Sequence, residues 1–382
     1  MGGGDATDDF PHSSFLAEII GEYRSGKYAD HAIDLVFNGD TFDFLKLPVD
    51  GKYPFHIDSK TALAKLAIVA AAHGAFFAAI RDFLLGGKGP RRVHFVVGNH
   101  DAELLFTGVK KELGRLCGAD DHIHFPGDQL RIGPVHIEHG HQFDPLFYMD
   151  PQRPFISADP EPLLNLSWAA IGLLQVVIPM HPQLAFYERL LPKDELMRLI
   201  PELTELFNAV AWRYWTREFW RAYLIQKDPV LDFSWGILKE VVRRFLFTNS
   251  EVEIDKLRLS NTVTNGSAQL FVTGHLHQIA HHWIGEKRII QNGAMRDEYR
   301  ILSGGASFTP ILKTWIEIQL DQDERIVEVT TRERRGPARP AEEIPDTIFD
   351  LAPRVRKMLA GLGDRAEDQA AQKAQERQES DK

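Results

Sequence analysis

Ala32-Ile33-Asp34-Leu35-Val36-Phe37 runs as a short apolar stretch and stops abruptly on Asn38-Gly39-Asp40-Thr41-Phe42-Asp43. An apolar run of this length, bounded by turn residues, reads as a buried strand. The same arrangement returns three times. Val93-His94-Phe95-Val96-Val97 leads into Gly98-Asn99-His100-Asp101, Val135-His136-Ile137-Glu138 into His139-Gly140-His141, and Leu270-Phe271-Val272-Thr273 into Gly274-His275-Leu276-His277. Each strand ends in a turn that carries Gly with Asp, Asn or His. Ligands of open α/β folds gather beyond the carboxyl ends of strands. Four such turns are therefore expected to converge on one site.

The surrounding chain supports an α/β reading. Phe15, Leu16, Ile19 and Ile20 fall at helical spacing within residues 12–24. Residues 60–85 are rich in Ala and Leu and stop at Gly86-Gly87, which predicts one long helix. Residues 312–330 alternate as two strands around Asp321-Gln322-Asp323, a hairpin. The 382 residues are 44% hydrophobic and 26% charged, which excludes a disordered, collagen-like or coiled-coil protein. A formal net charge of −10 argues against nucleic acid as the partner. The single cysteine, Cys117, makes neither an internal disulfide nor a cysteine zinc site. No basic stretch followed by an apolar one opens the chain, so no signal peptide is expected, and the cytoplasm is the expected location.

Between the third and fourth turns the composition changes. Residues 162–187 contain no Asp, Glu, Lys or Arg. A single membrane span there would put the fourth turn across the membrane from the other three, so a span is rejected. A buried helix and a helix dipping into a membrane surface both remain open. The next helix carries Trp212, Trp215 and Phe219 on one stripe and Arg213, Arg217 and Arg221 on another, and a third helix follows around 235–247. That stripe reads either as a core face beside a solvated one or as a lipid- or phosphate-facing surface. The expected organisation is a core of 1–142 and 263–332, a helical cap insertion over 143–262, and a charged, flexible tail over 333–382.

The turns also form a coherent ligand set. Asp40 offers a carboxylate, Asn99 an amide oxygen, and His100, His139, His141, His275 and His277 imidazoles. Carboxylate, amide and imidazole together suit Mn, Fe or Zn, and the lack of thiolate argues against Cu(I) or iron–sulfur.

In these motifs the chain resembles the calcineurin-like metallophosphoesterase superfamily. Gly39–Asp43 is similar to its G-D-x-x-[DE] motif, Gly98–Asp101 to G-N-H-[DE], His139-Gly140 to its lone His before Gly, and Gly274–His277 to G-H-x-H. The resemblance covers about 1–142 and 263–330. It implies a four-layer α/β/β/α sandwich, a β-sandwich flanked by helices. It also implies hydrolysis of a phosphoester by water activated at two divalent metal ions, Mn²⁺ first, with Fe or Zn also fitting. Asp40 would bridge the metals, with Asn99, His139 and His275 completing one site and His277 belonging to the other. His100 would be the catalytic histidine, protonating the leaving group or stabilising transition-state charge, with Asp101 orienting it. Asp43 would hold a ligand histidine, and His141 would stand behind the ligands or serve the structure.

The resemblance has a gap. The superfamily's first motif, D-x-H, is missing. Met1-Gly2-Gly3-Gly4-Asp5 reads like the text that follows such a motif, so a first strand and two ligands are expected to be lacking, leaving neighbouring strands as open edges. Asp5, Asp8 and Asp9 have no spacing that suits them as substitutes. Within the superfamily, Gly39–Phe44 and the helical insertion are similar to UDP-2,3-diacylglucosamine pyrophosphatases, in which the insertion holds acyl chains. Those enzymes typically carry Arg where this chain has His100. The expected substrate is thus a lipid-linked or amphipathic phosphodiester or pyrophosphate, with peripheral membrane contact through the cap. The alternative is a non-catalytic binding protein on a degraded phosphoesterase scaffold.

Overall fold

The computed structural model describes residues 1–118, 120–158, 160–231, 233–247, 256–337, 339 and 348–361. Of the flexible tail expected over 333–382, residues 333–334 end a strand and Ile348, Leu351 and Val355 are buried, while 338, 340–347 and 362–382 lie outside the described residues. The fold is mixed α/β with several sheets. Strands β1 (Ile33–Asn38), β2 (Arg91–Val96) and β3 (Ile123–Gly127) form a parallel sheet in that order. Next come β4 (Gln129–Ile132) and β5 (Val135–Glu138), then the short pair β6 (Phe155–Ile156) and β7 (Leu163–Leu164), and β8 (Leu190–Leu191). They are followed by β9 (Leu270–Thr273), β10 (Ala280–Ile284) and β11 (Lys287–Gln291). A second sheet has the order β10-β11-β9-β5-β4, with β9 parallel to both of its neighbours. β12 (Tyr299–Leu302) and β13 (Ser307–Pro310) join β8 in a third sheet, and β14 (Lys313–Leu320) and β15 (Ile326–Arg334) make the expected hairpin.

Compactness separates two units. The larger comprises Met1–Pro182, Ala222–Asp297 and Leu312–Pro337. It contains the first two sheets and the hairpin, and it holds two apolar layers. On one face of the first sheet, Phe37 and Phe95 stack with ring centroids 5.0 Å apart, and Phe42, Phe76 and Phe77 pack around them. Helices α1 (Ser13–Glu22), α2 (Ser59–Ala72), α3 (Gly74–Leu84) and α4 (Thr107–Cys117) add Ile19, Ile20, Leu66, Ile80 and Leu113 to the same core. On the opposite face, Val36 packs on Val135, Ile137, Leu270, Val272 and Ile290 of the second sheet, joined by Ile316 and Ile318 of the hairpin. Period-two alternation along β1 sends Val36 one way and Phe37 the other, which is how one strand serves two cores.

The smaller unit gathers Gln183–Arg221, Glu298–Ile311 and Ala338–Lys382. It contains the third sheet and the helix Pro201–Arg213, whose buried face is Leu203, Leu206 and Val210. Past that helix Phe219 is buried and Trp215 stacks on it at 4.6 Å, whereas Trp212 is 64% exposed. The aromatic stripe is therefore core at one end and surface at the other. The uncharged segment 162–187 places Leu164, Leu166, Ala170, Ile171, Leu174 and Ile178 in the main core of the larger unit. Among the described residues no single helix is long and apolar enough to cross a membrane.

The long helix expected over 60–85 is broken. α2 and α3 meet at 86°, with His73 between them at φ −119°, ψ 37°. His73 is fully buried and its Nε2 donates to Asp8 Oδ2 at 2.8 Å. Asp8 also accepts from the amides of Gly4 and Phe10. A polar residue buried mid-pattern found a partner elsewhere in the chain, and the helix turned to let it. Burial alone would raise the Asp8 carboxyl, but the His73 bond and neighbouring charge bring it down to about 2.

A carboxylate held below its unfolded value stabilises the fold above about pH 4 and loses that contribution as pH falls through about 2. Asp8→Asn should therefore cost about 2 kcal/mol at pH 7. In urea unfolding, the gap to wild type should hold from pH 7 to about pH 5 and narrow as pH falls from about 4 towards 2. A gap that does not change with pH would mean that packing, not charge, carries the effect.

Candidate metal and phosphoester site

The strand ends set the site. Asn38 and Val96 stand level in the β1–β2 register, and Ile137 and Val272 in the β5–β9 register, so each sheet presents two turns side by side. The two turns of the first sheet grip each other. Asp40 Oδ1 accepts the His100 amide at 2.8 Å, while Asp101 accepts the amides of Gly98 at 2.6 Å and Thr41 at 2.8 Å. Phe42 and Phe44, both fully buried, anchor the first turn from beneath.

A second set of bonds joins the sheets. Asn38 Nδ2 donates to the Glu138 carbonyl at 3.0 Å, His139 Nδ1 to the Asn38 carbonyl at 2.8 Å, and the Gly274 amide to the His139 carbonyl at 2.7 Å. All four turns are thereby brought together. The His139 ring lies 5.5 Å from that of His275 and 5.6 Å from that of His141.

Two glycines are obligatory. A Cβ at Gly98 would lie 2.2 Å from Asp40 Oδ1, and one at Gly39, where φ is +74°, would lie 2.4 Å from His139 Nδ1. Asp40, His275 and His277 themselves adopt left-handed backbone, at φ 49°, 66° and 56°. Such a conformation costs a non-glycine residue roughly 1–2 kcal/mol. Its concentration in these turns is a mark of a functional site.

His139 provides the test for a metal. A carbonyl can only accept, so Nδ1 bears a proton and Nε2 is the nitrogen left to meet Asp40. That Nε2 is buried, 3.0 Å from Asp40 Oδ2. Burial opposes charge on His139, but Asp40 outweighs it and raises the imidazole, so the two pair as ions, and a divalent cation would take the place of the proton between them. Asn99 Oδ1 and His275 Nε2 are buried without a hydrogen bond. Among the described residues no group of three or more His, Cys, Asp or Glu is arranged to hold a metal ion. The donors nevertheless fit one chemically. They are oxygen and imidazole nitrogen, buried and oriented by bonds from behind.

The electrostatics separate the roles. Burial pushes the His275 imidazole well below its ordinary value, and the charge near His139 adds to this. Burial likewise carries His141 down to about 3. Both rings are neutral in the fold. Burial opposes charge on His100 too, but Asp40 and Asp43 outweigh it and raise it to about 9. Burial and the neighbouring Asp40 push Asp101 up to about 7. Asp40 is held well below the usual carboxylate range, since His139 and His100 overcome the burial that would raise it.

Two side chains do other work than expected. His100 Nδ1 donates to Asp43 Oδ1 at 2.8 Å, so Asp43 orients His100 rather than a ligand histidine. Asp101, expected to orient His100, spends both oxygens on turn amides instead. Asp8 and Asp9 are engaged by His73 and Lys46, not by the site histidines. Asn38, Lys46 and Arg296 were not foreseen. Only Asn38 had a signal, its place at the end of a strand beside Gly39. No known family model matches the chain, and no curated protein matches it.

Gly39→Ala should be severe, because it combines backbone strain with a clash against His139. A loss of at least about 2 kcal/mol is expected in urea unfolding. Wild-type stability in this variant would show that the junction is looser than its geometry.

Proposed function

We propose that the chain is a metal-dependent phosphoester hydrolase of the metallophosphoesterase type, with a four-layer α/β/β/α core. The observation that carries the reading is the set of buried donors, Asn99 Oδ1 and His275 Nε2 without a hydrogen bond and His139 paired with Asp40, beside a histidine held by a carboxylate. Asp40, Asn99, His139 and His275 would hold one divalent ion and His277 would serve a second, with Mn²⁺ first and Fe or Zn also suitable. Such ions, when bound, neutralise phosphate charge and lower the pKa of water.

The chain's own residues supply the rest. Asp40 and Asp101 hold the first two turns in register. Asn38 fixes the His139 ring and its tautomer. His100, its Nδ1 on Asp43, is kept protonated and offers Nε2 to the leaving-group oxygen. The substrate class is an amphipathic phosphodiester or pyrophosphate. Residues of the 49–56 segment, with Thr61 and Gln175, line an open cavity of about 430 Å³ whose walls include none of the candidate site residues. If the substrate is lipid-linked, exposed Trp212 with Arg217 and Arg221 would meet the membrane surface.

The second reading is a binding protein on a degraded phosphoesterase scaffold. The full-length protein with Mn²⁺ should hydrolyse bis(4-nitrophenyl) phosphate. Asp40→Asn should lower kcat on that ester by at least about 100-fold, His100→Ala should do so on a simple alkyl phosphodiester, whose leaving group needs a proton, and a chelator should abolish turnover. A folded, metal-loaded protein inert towards diesters, pyrophosphates and monoesters would decide for the second reading.

A further inference from the structure

Behind Asp43 lies a charge that the hydrolase reading does not use. The Lys46 ammonium is 3.1 Å from Asp43 Oδ2 and 2.5 Å from Asp9 Oδ2, and its side chain is only 4% exposed. Arg296 Nη2 reaches the same Asp9 oxygen at 3.1 Å. His100, Asp43, Lys46, Asp9 and Arg296 thus form a line in which positive and negative groups alternate from the candidate site into the interior.

Burying a lysine is expensive, and a well-packed apolar residue of similar size often serves stability as well or better. The geometry gives the charge another use. An aspartate carboxylate turns freely about its last bond, with broad, two-fold preference. Here Lys46 holds Oδ2 while Oδ1 receives His100 Nδ1. With both oxygens engaged, the carboxylate plane is fixed. The imidazole that donates to it is then fixed in tautomer and in orientation.

We propose that Lys46, braced by Asp9, is a positioning residue that aims His100 at the leaving-group oxygen. The inference rests on the hydrolase reading above. In the step concerned, a water oxygen forms a bond to phosphorus and the bond from phosphorus to the leaving oxygen breaks. The electron pair of the broken bond stays on the leaving oxygen, which takes the proton from His100 Nε2. The attacking water gives up its proton to solvent, and His100 is reprotonated from solvent.

The test compares wild type, Lys46→Met and Lys46→Arg on two methyl phosphodiesters, one with a 4-nitrophenoxide leaving group and one with a simple alkoxide. Nitrophenoxide leaves without a proton, whereas alkoxide needs one, so only the second reports on proton delivery. For Lys46→Met, kcat on the alkyl ester should fall about 10- to 100-fold. On the nitrophenyl ester it should fall less than about 3-fold, with KM for both within about 2-fold. Lys46→Arg should recover most of the alkyl-ester activity. Equal losses on both esters, or no loss on either, would overturn the proposal. Thermal melting and bound Mn²⁺ per chain report on folding. If Lys46→Met does not fold, Asp9→Asn is read by the same two esters. It should show the same selectivity, and an unselective loss would overturn the proposal equally. Wild type inert on both esters would remove the hydrolase reading and this inference with it, whereas an active wild type with an unselective variant would remove the inference alone.

Discussion

Everything at the candidate site hangs on a few hydrogen bonds where the first sheet meets the second. Asn38 gives its side-chain amide to the Glu138 carbonyl and takes the His139 Nδ1 proton on its own carbonyl. His139 in turn holds Gly274. Apolar packing between Val36 and the β5, β9 and β11 side chains presses the sheets together without setting how far one slides along the other. The polar junction sets it. Without that registration, Asp40 and His275 would still end their strands, but nothing would bring them to a common point.

Within the first sheet the constraint is reciprocal. One carboxylate from the first turn holds the second, and one from the second holds the first. Neither turn can shift without leaving a buried acceptor or amide unsatisfied, which is costly. Gly98 is what allows the two turns to approach closely enough for this exchange. The left-handed residues and the close contacts are therefore parts of one arrangement. Strain at Asp40 and His275 is tolerated because the bonds around them leave the backbone no alternative.

The strands and the turns that follow them were legible because apolar runs, glycines and polar punctuation lie within a few residues of each other. The partners of polar side chains were not. Nothing in the local sequence distinguishes Asp43 from Asp101 as the group that would reach His100, because the choice is made by the fold of two turns sixty residues apart. The broken helix failed for the same reason. His73 looks like one polar residue in an Ala-rich run until Asp8 is seen beside it. The uncharged segment was ambiguous between a core and a membrane surface, since burial in either demands the same composition. Its leucines and isoleucines pack in the main core. The smaller unit draws on three stretches of chain far apart in sequence, an association that no local pattern encodes.

The junction also carries a chemical clock. Asn38 is followed by Gly39, the pairing in which a side-chain amide is most readily attacked by the next backbone nitrogen and lost as ammonia. In the folded chain that amide is held against the Glu138 carbonyl. Once lost, the group there is a carboxylate, an acceptor facing an acceptor. Time spent unfolded would therefore be recorded here, as it would at the Asn265-Gly266 and Asn292-Gly293 pairs. A molecule that aged in that way would recover its strands on refolding but not the bond that aligns its two sheets.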